Sequence, residues 1–416
     1  MNKFILHIDV NSAYLSWIAA RRVSNGDPVD LREIAAVVGG SEKSRHGITL
    51  AKSRICSKMG VKTGEPLMTV RQKCPDVTIV PPDYNLFARA SQSMYELICE
   101  YSDVVQRFSV DECFTQIYIN GGRDEIIKIA HKIKDRIYRE LGFTVNVGIS
   151  VNKILSKMAS NFKKPDRVLT LWPEEVPQKM WSLPIRSLFM VGRKTEKKLL
   201  NLGIYTIGDL ANANINTLES HLKSYAYLIQ TYAQGCDDSP VRLSNRTVIK
   251  GIGNGTTSCF DVKTRHDAHL YILSLTESVA SRLRAAGYCA GLVAVGTTST
   301  KFISQSRQKK LNVAVDSTTY ICKIATELFN ELWDGEPIRK FRVRVSNLHE
   351  NDYVQLSLLE EFDFEKHKKI DNAVDDIRNR FGSNAIQRAS FLHSGIKSGA
   401  GGVGDDDDYP LMTSIL

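Results

Sequence analysis

The sequence predicts an α+β chain of several domains that opens on a ferredoxin-like sheet, and three observations carry that prediction. The chain has 416 residues, more than one core ordinarily organises, so two to four domains are expected. The patterned segments of residues 1–150 run strand, helix, long insertion, two strands, helix, strand, which is the ferredoxin-like order. Acids stand at two places in apolar surroundings, Asp9 and the pair Asp111-Glu112.

Phe4 to Ile8 is apolar apart from His7 and reads as a buried strand. Asp9 ends it, and Asn11-Ser12 opens a helix over Ala13–Arg22 with Ser or Asn as cap. An acid at a strand end before a helix points into the cleft beyond the sheet. In the insertion, a strand is expected at Ile34–Val38 and Gly39-Gly40 breaks it; the polar turn Ser41–Gly47 and then Ile48–Ala51 come next, and Lys52, Arg54, Lys58 and Lys62 follow. Small residues beside clustered cations suit a phosphate-bearing ligand; a solvated charged face accounts for them equally well. Phe87–Tyr101 has helical spacing. Strands near Val104–Val110 and Cys113–Ile119 form a hairpin, and Asp124 caps a helix carrying Ile126, Ile129, Ile133 and Ile137. Phe143–Ser150 is the last strand.

The stretch Phe108–Cys113 organises the rest. Alternation along a strand would send Asp111 and Glu112 to opposite faces and bury one of them, and buried charges are paired or metal-bound. A turn at this point lets both reach one cavity, next to Asp9 on the adjacent strand. A solvated turn with two surface acids is the alternative.

Beyond the sheet, Val151–Lys157 begins a helix that ends by Lys163-Lys164-Pro165-Asp166. A linking stretch, Trp172–Pro184, leads to a helical region up to Asp238. Within it the glycine turn Met190–Lys194 presents backbone N–H groups at a helix start, which suits a phosphate and serves equally as an ordinary connection. Residues Val248–Val345 form a second mixed unit, with helices at Asp267–Ala286 and Thr318–Trp333 and strands at Leu292–Thr298 and Ile338–Val345. After Glu350 come one helix, Phe364–Phe381, and an end with four consecutive aspartates, expected to be disordered.

With 43% hydrophobic and 24% charged residues, and no apolar run of membrane-spanning length, the chain reads as soluble and globular. The short N-terminal apolar run does not make a signal peptide, so a cytoplasmic location without membrane partners is expected. Eight cysteines lie scattered without a Cys-x-x-Cys, which argues for reduced thiols and against zinc. Net charge is +9, unevenly spread. Arg242–Arg344 holds sixteen Lys/Arg against eight Asp/Glu, and residues from Glu350 onward hold seven against thirteen. A basic unit followed by an acidic tail suggests a polyanionic partner such as nucleic acid, although charge alone also fits a merely soluble basic protein.

Four stretches, taken in order, resemble the Y-family translesion DNA polymerases. They are Ile8-Asp9-Val10-Asn11-Ser12-Ala13-Tyr14, Ser109-Val110-Asp111-Glu112, Gly148–Ser160 and Lys164-Pro165-Asp166. Met190-Val191-Gly192-Arg193 and Ile252–Thr257 extend the resemblance to about residues 3–346. Asn11 and Gln355–Leu359 look more like the UmuC-like branch, tied to the SOS response to DNA damage, than the polymerase IV branch. The resemblance implies a right-hand polymerase. Its ferredoxin-like palm would span 1–23 and 80–170, small fingers 24–79, and a helical thumb with a helix–hairpin–helix 171–238. An α/β little finger would span 242–346, and 347–416 would be a tail.

The same resemblance implies nucleotidyl transfer from a dNTP to a primer 3′-hydroxyl, with two Mg²⁺ ions for which Mn²⁺ can substitute. Asp9 and Asp111 would bridge the metals, Glu112 would bind the primer-side one and the Val10 carbonyl the nucleotide-side one. Tyr14 would be a steric gate against ribose. Lys164 would bind triphosphate. The family's Tyr-x-x-Arg is absent from the fingers, where Arg54 and Ser57 stand in those places, so Arg54 or Lys58 is the candidate there. Thr49 and Ala51 would roof the templating base. Gly192 and Arg193, with Lys301, Arg307, Lys309, Lys310, Arg342 and Arg344 in or near little-finger strands, are expected to grip DNA phosphates. Gln355, Leu356, Leu358 and Leu359 resemble a sliding-clamp peptide, with Leu359 where Phe is commonest. Accessory mutagenesis proteins are further expected partners. The rival is a non-catalytic DNA-binding scaffold, against which the retention of all three acids speaks.

Overall fold

The computed structural model describes residues 1–41, 45, 47–243, 249–350 and 363–399. Two compact units separate by contact, one built mainly from residues 1–40 and 48–247, the other from 248–407 with 41–47.

The first unit is built on a five-stranded sheet of order β5-β6-β1-β7-β8. Its strands are β1 (Asn2–Val10), β5 (Val105–Arg107), β6 (Glu112–Ile119), β7 (Val145–Ser150) and β8 (Val168–Thr170). β1 is central and antiparallel to both β6 and β7. That is the ferredoxin-like arrangement with one extra strand, β8, parallel to β7. Helices α1 (Ala13–Ser24), α4 (Tyr84–Cys99) and α5 (Arg123–Arg136) bury Leu15, Trp17, Phe87, Met94, Ile126 and Ile133 in the same core as the sheet. Two caps differ from expectation. Ser12 has φ 50° and makes no capping hydrogen bond, and α5 starts from Gly122 with Asp124 inside its first turn. At the latter place the carboxylate still favours the positive end of the helix dipole.

The insertion forms a three-stranded sheet of order β3-β2-β4, from β2 (Ala36–Gly39), β3 (Thr49–Lys52) and β4 (Thr78–Val80). Two short helices, α2 (Arg54–Lys58) and α3 (Leu67–Lys73), accompany it. After the sheet, α6 (Lys153–Asn161) is capped by Asn152, whose side chain accepts from the Leu155 N–H at 2.9 Å. Helices α7 (Val176–Lys179), α8 (Arg193–Asn201), α9 (Ile207–Ala211), α10 (Ile215–Leu222) and α11 (Tyr225–Ala233) then enclose a separate core with Leu199, Leu210, Leu218 and Ile229 at its centre.

The second unit is a four-stranded antiparallel sheet of order β11-β10-β12-β9. Its strands are β9 (Gly251–Val262), β10 (Tyr288–Ser299), β11 (Ser304–Val315) and β12 (Ile338–Glu350). One face packs on α12 (Arg265–Ala285) and α13 (Thr318–Leu332) through Val293, Val295, Phe341, Val343, Leu275 and Phe329. Residues 363–399 do not form a free tail. Helix α14 (Phe364–Phe381) and the segment after it lie against α12 and α13, and Phe391 and Ile396 enter the core. Two ion clusters fix this return. Arg284, itself largely buried, reaches Asp375 at 2.6 Å and Asp371 at 3.6 Å. Glu277, 4% exposed, accepts from Arg388, Ser398 and Arg378 at 2.7, 2.7 and 3.3 Å. The end with four consecutive aspartates, expected to be disordered, lies outside the described residues.

Candidate active site

The acids meet because of strand register. Asp9, on β1, lies directly opposite Glu112, the first residue of β6. Asp111 stands one residue before that strand, and its carbonyl accepts from the Val10 N–H at 3.0 Å. The turn thus lets two neighbouring acids serve one end of the sheet. Asp9 is 6% exposed; Asp111 and Glu112 are half-buried.

Each acid has a different local environment. Asp9 accepts from the Lys164 ammonium at 2.6 Å, yet burial outweighs that partner and pushes its carboxyl up. Asp111 is held by the Ser109 hydroxyl and, among the described residues, has no cation in contact; burial pushes it up as well. Glu112 goes the other way. Burial alone would raise it, but His7 and Lys157 together hold it well below the usual carboxylate range. The Lys157 ammonium stands 2.7 Å from Glu112 Oε2 and 3.3 Å from His7 Nε2. His7 is fully buried, and burial with the Lys157 charge lowers its pKa. The Ser160 hydroxyl donates to the Lys157 carbonyl at 2.9 Å and so accepts from His7 Nδ1 at 2.8 Å, which leaves His7 Nε2 facing the Lys157 ammonium. Lys157 also lies over the Phe108 and Phe189 rings, at 4.7 and 5.1 Å.

His7, Lys157 and Phe189 were not singled out from the sequence as site residues. His7 offered a signal, as the one polar residue in the apolar run Phe4–Ile8. Lys157 and Phe189 offered none, because their roles depend on α6 and the segment before α8 meeting the sheet.

The remaining candidates fall in several places. Tyr14, on α1, packs its ring against Phe87 and Trp17, with centroids 4.5 and 5.9 Å apart. Arg54 and Lys58 are exposed on α2. Thr49 and Ala51 share the inward face of β3 at 0% and 7% exposure, and the Thr49 hydroxyl has no hydrogen-bond partner among the described residues. Gly192 and Arg193 are the cap and first residue of α8, both exposed.

The six cations of the second unit do not form one surface. Arg307 and Lys309 pair in register with the core residues Val295 and Val293, so they stand on the helix side, where they meet Glu331 and Glu327 of α13. Lys301 sits in the turn before β11 and pairs with Glu336. Lys310, Arg342 and Arg344 occupy the opposite, open face. The reason is the two-residue period of a strand: neighbouring cations on β11 must part. On the open face, Gly255 and Gly253 lie across from Arg342 and Arg344. A Cβ on Gly255 would come within 2.8 Å of Arg342 Cγ, so these glycines make room for the arginine stems. The peptide Gln355–Leu359 lies outside the described residues.

A ferredoxin-like sheet with acids at one end of its central strands, in a chain that also carries a separate basic sheet, is the arrangement of a palm-type nucleic-acid polymerase. The sequence profile of the impB/mucB/samB family matches residues 8–161, that of its C-terminal domain residues 249–358, and the IMS family HHH motif residues 173–204. The DNA polymerase IV of Clostridium acetobutylicum is 42% identical over 94% of this chain and 99% of its own length. That of Acetivibrio thermocellus is 35% identical over 94% and 98%. In fold, a Y-family DNA polymerase chimera of Dbh and Dpo4 superimposes with a TM-score of 0.71 at 22% identity, over 84% of this chain and all of that one. The chain belongs to the impB/mucB/samB family, the Y-family DNA polymerases.

Proposed function

We propose that this chain extends a DNA primer on a template, inserting opposite damaged bases, with Asp9, Asp111 and Glu112 as its metal-binding carboxylates. The observation that carries the reading is the meeting of Asp9 and Glu112 in register with Asp111 beside them. The donors are hard oxygens, which fit Mg²⁺ or Mn²⁺. Among the described residues no three His, Cys, Asp or Glu side chains form a ready cage. Mg²⁺ takes oxygen ligands of this kind and completes its shell with water and substrate phosphate. When bound, the metal ions supply neutralisation of triphosphate charge and activation of the primer hydroxyl.

The chain's own residues take the other tasks. Lys164, 39% exposed at its side chain, turns from Asp9 to the incoming triphosphate, with Arg54 and Lys58 as further cations. The Tyr14 ring, backed by Phe87, bars a ribose 2′-hydroxyl. Thr49 and Ala51 line the roof over the base pair. Gly192 and Arg193 hold a backbone phosphate at the start of α8. Lys310, Arg342 and Arg344 track the duplex without reading its sequence.

The curated relatives carry the name DNA polymerase IV, so the polymerase IV branch is the better reading here, and the UmuC-like expectation gains no support from them. Docking of Gln355, Leu356, Leu358 and Leu359 on a sliding clamp would raise the effective concentration at the primer end; loss of clamp stimulation on replacing Gln355, Leu358 and Leu359 by alanine checks it. Primer extension with Mg²⁺ on plain and abasic templates tests the whole. Asp9→Ala and Asp111→Ala are expected to lose extension while still binding DNA, and Tyr14→Ala to admit ribonucleotides. Undiminished extension by either aspartate variant refutes the metal assignment.

A further inference from the structure

The two lysines at the acids differ in a way that the polymerase reading leaves unused. Lys164 is 39% exposed at its side chain and can turn away from Asp9. Lys157 is 8% exposed at its side chain and cannot leave Glu112 in the same manner. His7 Nε2 holds its ammonium at 3.3 Å, two aromatic faces lie within about the range of a cation–π contact, and its helix presses on the sheet at Gly148. One of those aromatic faces, Phe189, comes from the segment leading into α8 rather than from the sheet domain. Glu112 Oε2 is therefore committed to the Lys157 ammonium, and among the described residues Oε1 has no hydrogen bond.

We infer that Lys157 is a positioning residue that aims Glu112 and, as a resident cation, competes with the metal for it. The inference rests on the metal assignment proposed above. A cation sharing a carboxylate with a divalent ion repels it at a separation of a few ångströms, enough to weaken binding by about tenfold or more even in a moderately polar surrounding. The free protein would then hold metal poorly at the Glu112 side, and the extra negative charge brought by the substrate triphosphate would restore affinity. The consequence is a separation of two effects that usually move together. Removing the charge of Lys157 tightens metal binding, and losing its grip on Glu112 slows catalysis.

The test is Mn²⁺ binding to the full chain without DNA or nucleotide, followed by the electron paramagnetic resonance signal of free Mn²⁺, together with primer-extension rates. Lys157→Met is expected to bind Mn²⁺ about tenfold more tightly while its maximal rate falls. Lys157→Arg, which keeps the charge, is expected to bind Mn²⁺ as the parent does. If the methionine variant fails to fold, Lys157→Gln is read in its place, with the same expected direction. Binding that is unchanged or weaker in the neutral variant, with a parent that does bind Mn²⁺ through Asp111, overturns this inference alone. A parent that takes up no Mn²⁺, or as much after Asp111→Ala, overturns the metal assignment and this inference with it.

Discussion

Replacing Gly148 by alanine probes how closely α6 must lie on the sheet. Gly148 is on β7, across from His7 in the register with β1. A Cβ there would stand 2.0 Å from the Ser156 carbonyl oxygen and 2.5 Å from the Ser160 nitrogen. Both are backbone atoms of α6, so no change of rotamer relieves the overlap. A carbon and a carbonyl oxygen rest at roughly 3.3 Å, so the helix must withdraw by roughly 1.3 Å. The Lys157–Glu112 contact of 2.7 Å and the His7–Ser160 contact of 2.8 Å would then pass out of hydrogen-bonding range. Overpacking of this kind costs about 1–3 kcal/mol, and a misplacement of this size beside reacting groups about 10²-fold in rate. Urea unfolding gives the first number and steady-state primer extension the second. A stability loss under about 0.5 kcal/mol, with extension close to the parent's, would refute the reasoning.

Three further outcomes follow from the structure. On the open face of the second sheet, Arg342→Ala or Arg344→Ala is expected to weaken DNA binding and to lower the salt slope by about 1, whereas Arg307→Ala and Lys309→Ala, already paired with α13 acids, change it little; equal effects in a fluorescence-anisotropy titration would contradict the division of faces. Ending the chain at residue 358 takes Arg378, Arg388 and Ser398 from Glu277 and Asp371 and Asp375 from Arg284, each loss of a buried ion pair costing about 3–5 kcal/mol, so a melting temperature like the parent's would show the return segment to be dispensable. In metal-free buffer Asp111→Asn is expected to raise stability at neutral pH. Burial lifts the folded-state value of Asp111 above its unfolded one, so the parent regains that stability as pH falls through the folded value toward the unfolded one, and the advantage of asparagine fades over the same range. A gain that does not depend on pH would contradict the assignment.

Much of the first domain was legible because its signals are local. The apolar run of β1, the isoleucine spacing of α5 and the position of Asp9 at a strand end each depend on a few neighbouring residues. The meeting of Asp9 with Glu112 was also within reach, since strand order follows from element order. What escaped depends on distant contacts. β8 is three residues long and exists because β7 offers it an edge. Lys157 reads as one more polar residue on a helix until α6 is laid beside His7. The cations of β11 looked like one patch because their nearness along the chain hides the alternation that separates them. Ser12 does occupy the cap position, but in a left-handed backbone conformation and without a side-chain capping hydrogen bond, which a reading of residue types does not reveal.

The return of residues 363–399 across the second unit changes what kind of object the preceding stretch is. Glu350 closes β12 and Asp363 caps α14, and both belong to elements seated on one small domain. The twelve residues between them are thus joined to the same domain at both ends of their sequence. A protein that reads Gln355–Leu359 has to take it from the side, with no chain end to thread, and a pocket that demands a terminal carboxylate has nothing to hold there. Cutting the chain just after Leu359 would turn this stretch into a loose end and so change how a partner meets it, even with every residue of the peptide intact.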